Sequence, residues 1–120
     1  MNAHVSITPE QTKMFSEAAE ANGLIARQLA ENADLLVEVG AKIRALEPKA
    51  VVTCARGSSD HAATYAKYLI ETKAGLLVSS AAPSVSSVYA ASQMLEGTLF
   101  LAISQSGKSP DLVATAQAAK

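Results

Sequence analysis

Residues 99–111 read LFLAISQSGKSPD, and this stretch decides the fold class. Its first five residues form a short apolar run, which is typical of a strand buried on both faces. A loop rich in hydroxyl groups follows. It ends in Ser109-Pro110-Asp111, which predicts a helix start with a serine cap, a proline at the first helical position and an acid in the first turn. Strand, polar loop and helix in this order form the repeating unit of a parallel α/β sheet.

The same order of elements occurs upstream of this stretch. The predicted elements are a strand at residues 50–55, a helix at 61–73 that Gly75 ends, a strand at 76–79, and a short helix through Tyr89 to Met94. We therefore expect an α/β fold of three layers, α/β/α, around a parallel sheet. The last helix is expected still to run at Lys120, without a C-cap, so we expect the chain to be the front part of a longer protein.

The segment before the first strand has a helical pattern. We predict a helical lead-in at residues 1–48 and a sheet domain, incomplete at its end, at residues 49–120. Thr8-Pro9 predicts the first helix start, and Asn22-Gly23 is expected to end or kink that helix. A second stripe of apolar residues at helical spacing follows, and its simplest interpretation is packing surface.

Composition excludes several classes of partner. The 120 residues are 49% apolar and 18% charged, with 10 basic and 11 acidic side chains and no Trp. This balance gives no electrostatic reason to expect nucleic acid or a membrane as partner. No signal peptide or membrane span is apparent, so a cytoplasmic location is expected. Cys54 lies in an apolar run and is expected to be a buried, inert thiol, and neither a metal nor a cofactor is expected.

Two hydroxyl-rich turns follow predicted strands. They are Gly57-Ser58-Ser59 and residues 104–109, SQSGKS. Ligands of parallel sheets bind at the carboxyl ends of the strands, where helix starts offer backbone N–H groups and a positive dipole end. Gly57 and Gly107 would allow close approach of the backbone, and Lys108 could add a charge. A single serine before a helix is usually only a cap. Two such loops on neighbouring strand ends favour a phosphate site.

The second loop also resembles the end of a nucleotide-binding P-loop, because it contains Gly107-Lys108-Ser109. That motif requires another glycine five residues before its last glycine. Ala102 occupies this position, inside the predicted strand, so the loop is too short to surround two phosphates. The dinucleotide fingerprint G-x-G-x-x-G is absent from the sequence as well. A single phosphate group fits the loop better.

Together the two loops resemble the SIS (sugar isomerase) domain. The shared pattern is a strand followed by x-G-(S/T)-S and a later strand followed by S-Q-S-G-x-(S/T)-x-(D/E). Within that family the chain is similar to the isomerase half of glucosamine-fructose-6-phosphate aminotransferase and to stand-alone glucosamine-6-phosphate deaminases. The resemblance covers most of the chain from about Met14. It implies a flavodoxin-like α/β/α domain, a sugar phosphate as the small-molecule partner, and a homodimer.

The resemblance also implies roles for individual residues. The phosphate-binding positions of the family correspond here to Ser59, Ser104, Gln105, Ser106 and Ser109. Ser58 matches a hydroxyl residue that faces the sugar, and Gly57 and Gly107 belong to the two loops.

Two departures from the aminotransferase pattern bear on the reaction. Asn2 follows Met1 where the aminotransferase has a cysteine nucleophile, so no glutaminase domain is expected. The family's S-E-F segment after the second strand is replaced by residues 82–89, APSVSSVY. This variant resembles the stand-alone deaminases, which convert glucosamine 6-phosphate to fructose 6-phosphate and ammonia.

The sequence assigns no catalytic base, and the catalytic residues are left unknown. Members of the family take a glutamate, a lysine and a histidine from a second SIS domain or from the partner subunit. Near the loops this chain offers only Asp60, His61, Glu71 and Asp111, whose positions are typical of helix-dipole or packing roles. Three interpretations stay open: an aminosugar-phosphate deaminase or isomerase, which we favour, an aminotransferase-like synthase that takes free ammonia, and a non-catalytic module that senses a sugar phosphate.

Overall fold

The computed structural model of the chain describes residues 7–120. The elements, in chain order, are a 3-10 turn (Pro9–Gln11), α1 (Lys13–Glu31), α2 (Ala33–Leu46), β1 (Ala50–Ala55), α3 (Ser58–Ala74), β2 (Leu77–Ser80), α4 (Pro83–Ser87), β3 (Thr98–Ile103) and α5 (Pro110–Ala118). The described residues up to Lys42 form one compact unit, and Ile43–Lys120 form another. The division predicted between residues 48 and 49 stays a prediction. Met1 and Asn2 lie outside the described residues.

The first long helix begins later than predicted. Thr8 begins only the 3-10 turn, where its N–H donates to Gln11 Oε1 at 3.0 Å. The cap of α1 is Thr12, whose Oγ1 accepts a hydrogen bond from Phe15 N–H at 3.2 Å. The predicted start at Thr8-Pro9 is therefore wrong by about one turn, because a second threonine provides the cap that leads into the long helix.

The expected stop at Asn22-Gly23 is also wrong, since α1 continues through Gly23 to Glu31. A glycine inside a helix lowers the stability of that helix by about 1 kcal/mol relative to alanine, and the surrounding residues, which favour helix, offset this loss. The break falls instead at Asn32, whose side-chain amide donates to the Gln28 carbonyl at 2.8 Å. The Asn32 backbone N–H donates to the same carbonyl at 3.1 Å, so the side chain reinforces the last hydrogen bond of the helix.

We expect Thr12→Ala to lower the free energy of unfolding by about 1 kcal/mol, because Phe15 N–H loses its side-chain acceptor. Thermal unfolding followed by circular dichroism measures the change. Thr12→Ser keeps the hydroxyl group and serves as the control. An equal loss for both substitutions would show that the hydroxyl does not act as a cap.

The predicted fold class is confirmed by a parallel three-stranded sheet in the order β2-β1-β3. The central strand β1 pairs with β2 from Ala50 opposite Leu77, and with β3 along its full length, ending with Ala55 opposite Ile103. The predicted strand at 50–55 matches β1, while β2 and β3 differ from prediction by one residue at their ends. Differences of this size are normal at the ends of elements.

The core of the second unit is centred on β1, which is buried from Val51 to Ala55. Val52 and Cys54 belong to the same apolar cluster as Leu112 of α5. Thr53 instead lines a cleft with Ala63 of α3. Because successive strand residues point to opposite faces, α3 and α5 cover opposite faces of the sheet. This is the expected three-layer arrangement.

Cys54 has no exposed surface, which confirms the expected buried thiol. Burial first, and then the nearby charge of Asp111, raise the pKa of this thiol. Cys54 therefore stays protonated at neutral pH and serves the core.

Two predicted helices are shorter in the structure. The helix expected to reach Met94 ends at Ser87, and Ala90 has a positive φ of 49°, which a helix cannot contain. Tyr89 and Met94 are exposed, so this segment lacks the buried apolar face that stabilises short helices. The last helix, α5, ends at Ala118 and does not continue to the final residue.

Among the helices that the structure describes, none has the length and hydrophobicity that a membrane-spanning segment requires.

Candidate phosphate-binding site

The sheet order places the two hydroxyl-rich loops side by side. The chain leaves β1 through α3 to one neighbour, β2, and then passes through α4 to the opposite neighbour, β3. The direction of the connections therefore reverses between β1 and β3, and such a switch point opens a crevice at the carboxyl ends of the strands. Ala55 and Ile103 are paired at the carboxyl ends of β1 and β3. Arg56 and Ser104 are therefore the first residues beyond these two neighbouring strand ends.

An open cavity of about 450 Å³ lies at this point, and we call it the serine pocket. Its lining residues come from the two loops and the starts of α3 and α5: Arg56, Ser58, Ser59, Ser104, Gln105, Ser106, Ser109 and Leu112. All five positions predicted to contact phosphate, and Ser58, line this one cavity. Their role in binding stays a prediction, while their placement together is a feature of the fold.

The second loop is held in shape by two of its own hydroxyl groups. Gly107 N–H donates to Ser104 Oγ at 3.0 Å, and Lys108 N–H donates to Ser106 Oγ at 3.2 Å. A hydroxyl oxygen that accepts a hydrogen bond keeps its own hydrogen for donation. The Ser104 and Ser106 hydroxyls can therefore hold the loop and donate to an anion at the same time. Polarisation along such a chain strengthens the outward bond.

The sequence suggested that backbone N–H groups at both helix starts would be donors to an anion beside the serine hydroxyls, but several of these N–H groups are already paired. Besides the two in the second loop, Ser59 N–H donates to the Arg56 carbonyl at 3.2 Å, and Asp60 N–H donates to the Gly57 carbonyl at 3.0 Å. The hydroxyl groups are therefore the main candidates for donors to an anion. The helix dipoles still favour negative charge there.

Ser109 precedes α5 at the cap position, yet its side chain makes no capping hydrogen bond. A serine that serves only as a cap would use its Oγ to accept from the first turn. Leu112 N–H instead pairs with Asp111 Oδ1 at 3.0 Å, and Val113 N–H pairs with the Ser109 carbonyl at 3.0 Å. The Ser109 hydroxyl thus lines the serine pocket without a capping role.

The two loop glycines act through backbone conformation. Gly57 and Gly107 have φ angles of 57° and 65°, which residues with a side chain rarely adopt. A Cβ atom at either position would meet no described atom within 4 Å. The approach of a ligand to the backbone at these glycines stays a prediction, and the positive φ angle of each turn already favours glycine there.

Two residues of the serine pocket were not included in the sequence prediction, the apolar Leu112 and the charged Arg56. The role of Arg56 is set by its position and its partner. Arg56 directly follows β1, and its Nη1 donates to Asp111 Oδ2 in the first turn of α5. Desolvation alone would raise the pKa of the Asp111 carboxyl, but the hydrogen bonds from Arg56 and Leu112 N–H outweigh it and lower the pKa. The signal in the sequence was a cation at the carboxyl end of a central strand.

The four acid–base candidates named from the sequence do not line the serine pocket. Asp60 lines a separate cleft beside Lys67 and Tyr68. Glu71 accepts a hydrogen bond from Val78 N–H at 3.1 Å and so ties α3 to β2.

The other two candidates also lie outside the pocket lining. His61 is exposed on α3, and Asp111 is paired with Arg56. Lys108 is exposed and does not line the pocket either. The described part of the chain therefore supplies anion donors and no acid–base group at this site.

Comparison with known proteins agrees with this fold. The SIS domain profile matches residues 46–120, which is more than half of the chain. The chain belongs to the SIS domain family. It is 40% identical over 90 residues to glutamine–fructose-6-phosphate aminotransferase (isomerizing) of Symbiobacterium thermophilum, an alignment that covers 71% of this chain and 14% of that protein.

A solved structure from Silicibacter pomeroyi, described as a phosphosugar isomerase, superimposes with a TM-score of 0.80 at 47% identity. The match covers 83% of this chain and 31% of that one. The SIS chain thus spans less than a third of the length of either relative. Both relatives are named for sugar phosphates, which agrees with the resemblance inferred from the two loops.

Proposed function

We propose that this SIS domain binds the phosphate group of a hexose or hexosamine 6-phosphate in the serine pocket. The proposal rests on one observation: five residues from the two loops line a single cavity at the switch point of the sheet. They are Ser59, Ser104, Gln105, Ser106 and Ser109. A near-neutral chain cannot attract a phosphate by a broad positive field, so local donors and helix dipoles would have to hold it.

The reaction that fits best is the deamination and isomerisation of an aminosugar phosphate. Glucosamine 6-phosphate and water would give fructose 6-phosphate and ammonia. This chemistry needs a base that moves a proton between C1 and C2 of the open sugar. The serine pocket supplies no such group, so the base would come from outside this pocket, from another domain or from a partner subunit of a homodimer. A cytoplasmic location stays part of the proposal.

Two other functions are each supported by one observation. The relative from Symbiobacterium is named an aminotransferase, which favours a synthase that would make the aminosugar phosphate. The pocket lacks an acid–base side chain, which favours a module that senses a sugar phosphate without converting it.

An ammonia-release assay with the full-length protein separates these functions. For a deaminase we expect glucosamine 6-phosphate to release ammonia and fructose 6-phosphate in equal amounts, while glucosamine without phosphate releases none. Formation of glucosamine 6-phosphate and water from fructose 6-phosphate and added ammonia, together with negligible ammonia release in the other direction, would favour the synthase. Binding without turnover in either direction would contradict the enzyme proposal and leave the sensor.

A further inference from the structure

Arg56 occupies a position that its role as a surface side chain does not explain. It lines the serine pocket and also a second open cavity of about 620 Å³ beside α4 and α5, which we call the adjoining cavity. Among the residues that line these two cavities, Arg56 alone carries a positive charge. The other donors around the serine pocket are neutral hydroxyl and amide groups.

Asp111 holds this arginine from one side. One oxygen of the carboxylate accepts from Arg56 Nη1, and the other accepts from Leu112 N–H at 3.0 Å. The Asp111 side chain is 18% exposed and the Arg56 side chain is 64% exposed. The carboxylate is therefore fixed against α5, while the guanidinium group stays open to a ligand.

The pairing leaves most of the guanidinium donors unused. A guanidinium group has five N–H donors in a planar fork, and Asp111 engages Nη1 alone. The other nitrogens make no hydrogen bond to the described residues. An exposed ion pair of this kind contributes little to stability. Stabilisation of the contact between β1 and α5 therefore does not explain why an arginine lies at the mouth of the pocket.

We propose that Arg56 is a specificity-determining residue of the serine pocket that recognises the second negative charge of a phosphate monoester, and that Asp111 is its positioning residue. The inference rests on the proposed sugar-phosphate function and deepens it. A phosphate monoester carries a charge close to −2 at neutral pH, whereas a sulfate ester carries −1. Neutral hydroxyl donors would distinguish the two esters less than a full positive charge does, so Arg56 would supply most of the preference for phosphate.

Isothermal titration of the full-length protein with glucose 6-phosphate and glucose 6-sulfate tests this inference. The wild-type protein should bind the phosphate at least about tenfold more tightly, since a guanidinium charge attracts a dianion about twice as strongly as a monoanion at the same distance. Arg56→Met should lower phosphate affinity about tenfold and sulfate affinity much less, so that the preference largely disappears. Arg56→Lys keeps the charge without the fork and should restore part of the preference.

Asp111→Asn should lower the phosphate-to-sulfate preference without lowering the melting temperature appreciably. If Asp111 had only a structural role, the substitution would lower the melting temperature and leave the preference unchanged. Arg44→Met, an exposed arginine of α2 that lines neither cavity, is the matched control and should leave both affinities unchanged. If wild-type protein and Arg56→Met bind glucose 6-phosphate equally, the role of Arg56 is wrong while the proposed function stands. If the wild-type protein binds neither ester, both proposals fall.

Discussion

Replacing Ser104 and Ser106 together by alanine is expected to weaken the binding of a hexose 6-phosphate by about a hundredfold. Each hydroxyl would donate one charge-assisted hydrogen bond to the phosphate, and such bonds contribute about 1.5–3 kcal/mol each. Two of them correspond to a factor of about a hundred or more. The substitutions also remove the acceptors of Gly107 N–H and Lys108 N–H, so the loop itself would lose its shape. Isothermal titration with fructose 6-phosphate measures the change.

Ser109→Ala separates the two contributions to this loss. Its hydroxyl makes no capping bond, so its removal should leave the melting temperature unchanged and weaken binding by roughly tenfold. Ser87→Ala, on α4 and outside the serine pocket, is a control that should not change affinity. An unchanged affinity in the double variant would show that the phosphate does not bind at this loop.

Leu112→Ala is expected to have the largest effect on stability. Leu112 is only 5% exposed, and it packs with Val52, Cys54 and Ala81 in the core cluster. Truncating a buried leucine costs about 2–5 kcal/mol, because the transfer free energy is lost and a cavity remains. The neighbouring Val113 is exposed on the same helix, so Val113→Ala is a matched control that should cost at most about 0.5 kcal/mol.

Thermal unfolding of both variants measures this difference. Comparable melting temperatures for the two would contradict the packing of α5 against β1. Since Leu112 also lines the serine pocket, the Leu112 variant should lose affinity for the sugar phosphate as well.

The sequence predicted the positions of the strands well because they carry strong patterns. The expected burial of residues 99–103 on both faces is wrong, since β3 is only partly buried and lies at the edge of the described sheet. Residues 50–55 are mostly apolar and rich in β-branched side chains, and β1 occupies those residues. Its burial on both faces follows from its place at the centre of a parallel sheet. The SIS resemblance was likewise confirmed, because two separate loop patterns at a fixed order along the chain are hard to match by chance.

Helix limits were harder to predict because local signals compete. Asn22-Gly23 looked like a helix stop, but the helix continues to Glu31. The segment from Tyr89 to Met94 has some helical character, yet its side chains stay exposed and the chain turns away at Ala90. These outcomes depend on packing, which propensity alone does not contain.

The site could be predicted only in part. Hydroxyl groups were identified from the residue types in the two loops, but the pairing of Arg56 with Asp111 joins positions 55 residues apart and depends on the order of the strands. The sequence also could not show that Ser104 and Ser106 accept hydrogen bonds from their own loop, since that follows from the turn geometry at Gly107.

A crystal structure of the full-length protein with glucosamine 6-phosphate or fructose 6-phosphate tests the central claim most directly. The account predicts the phosphate in the serine pocket, with its oxygens within hydrogen-bonding distance, about 2.5–3.0 Å, of the Ser104, Ser106 and Ser109 hydroxyls. Arg56 should contact the phosphate while it stays paired with Asp111. A sugar phosphate bound elsewhere, with these three hydroxyls facing only water, would contradict the account.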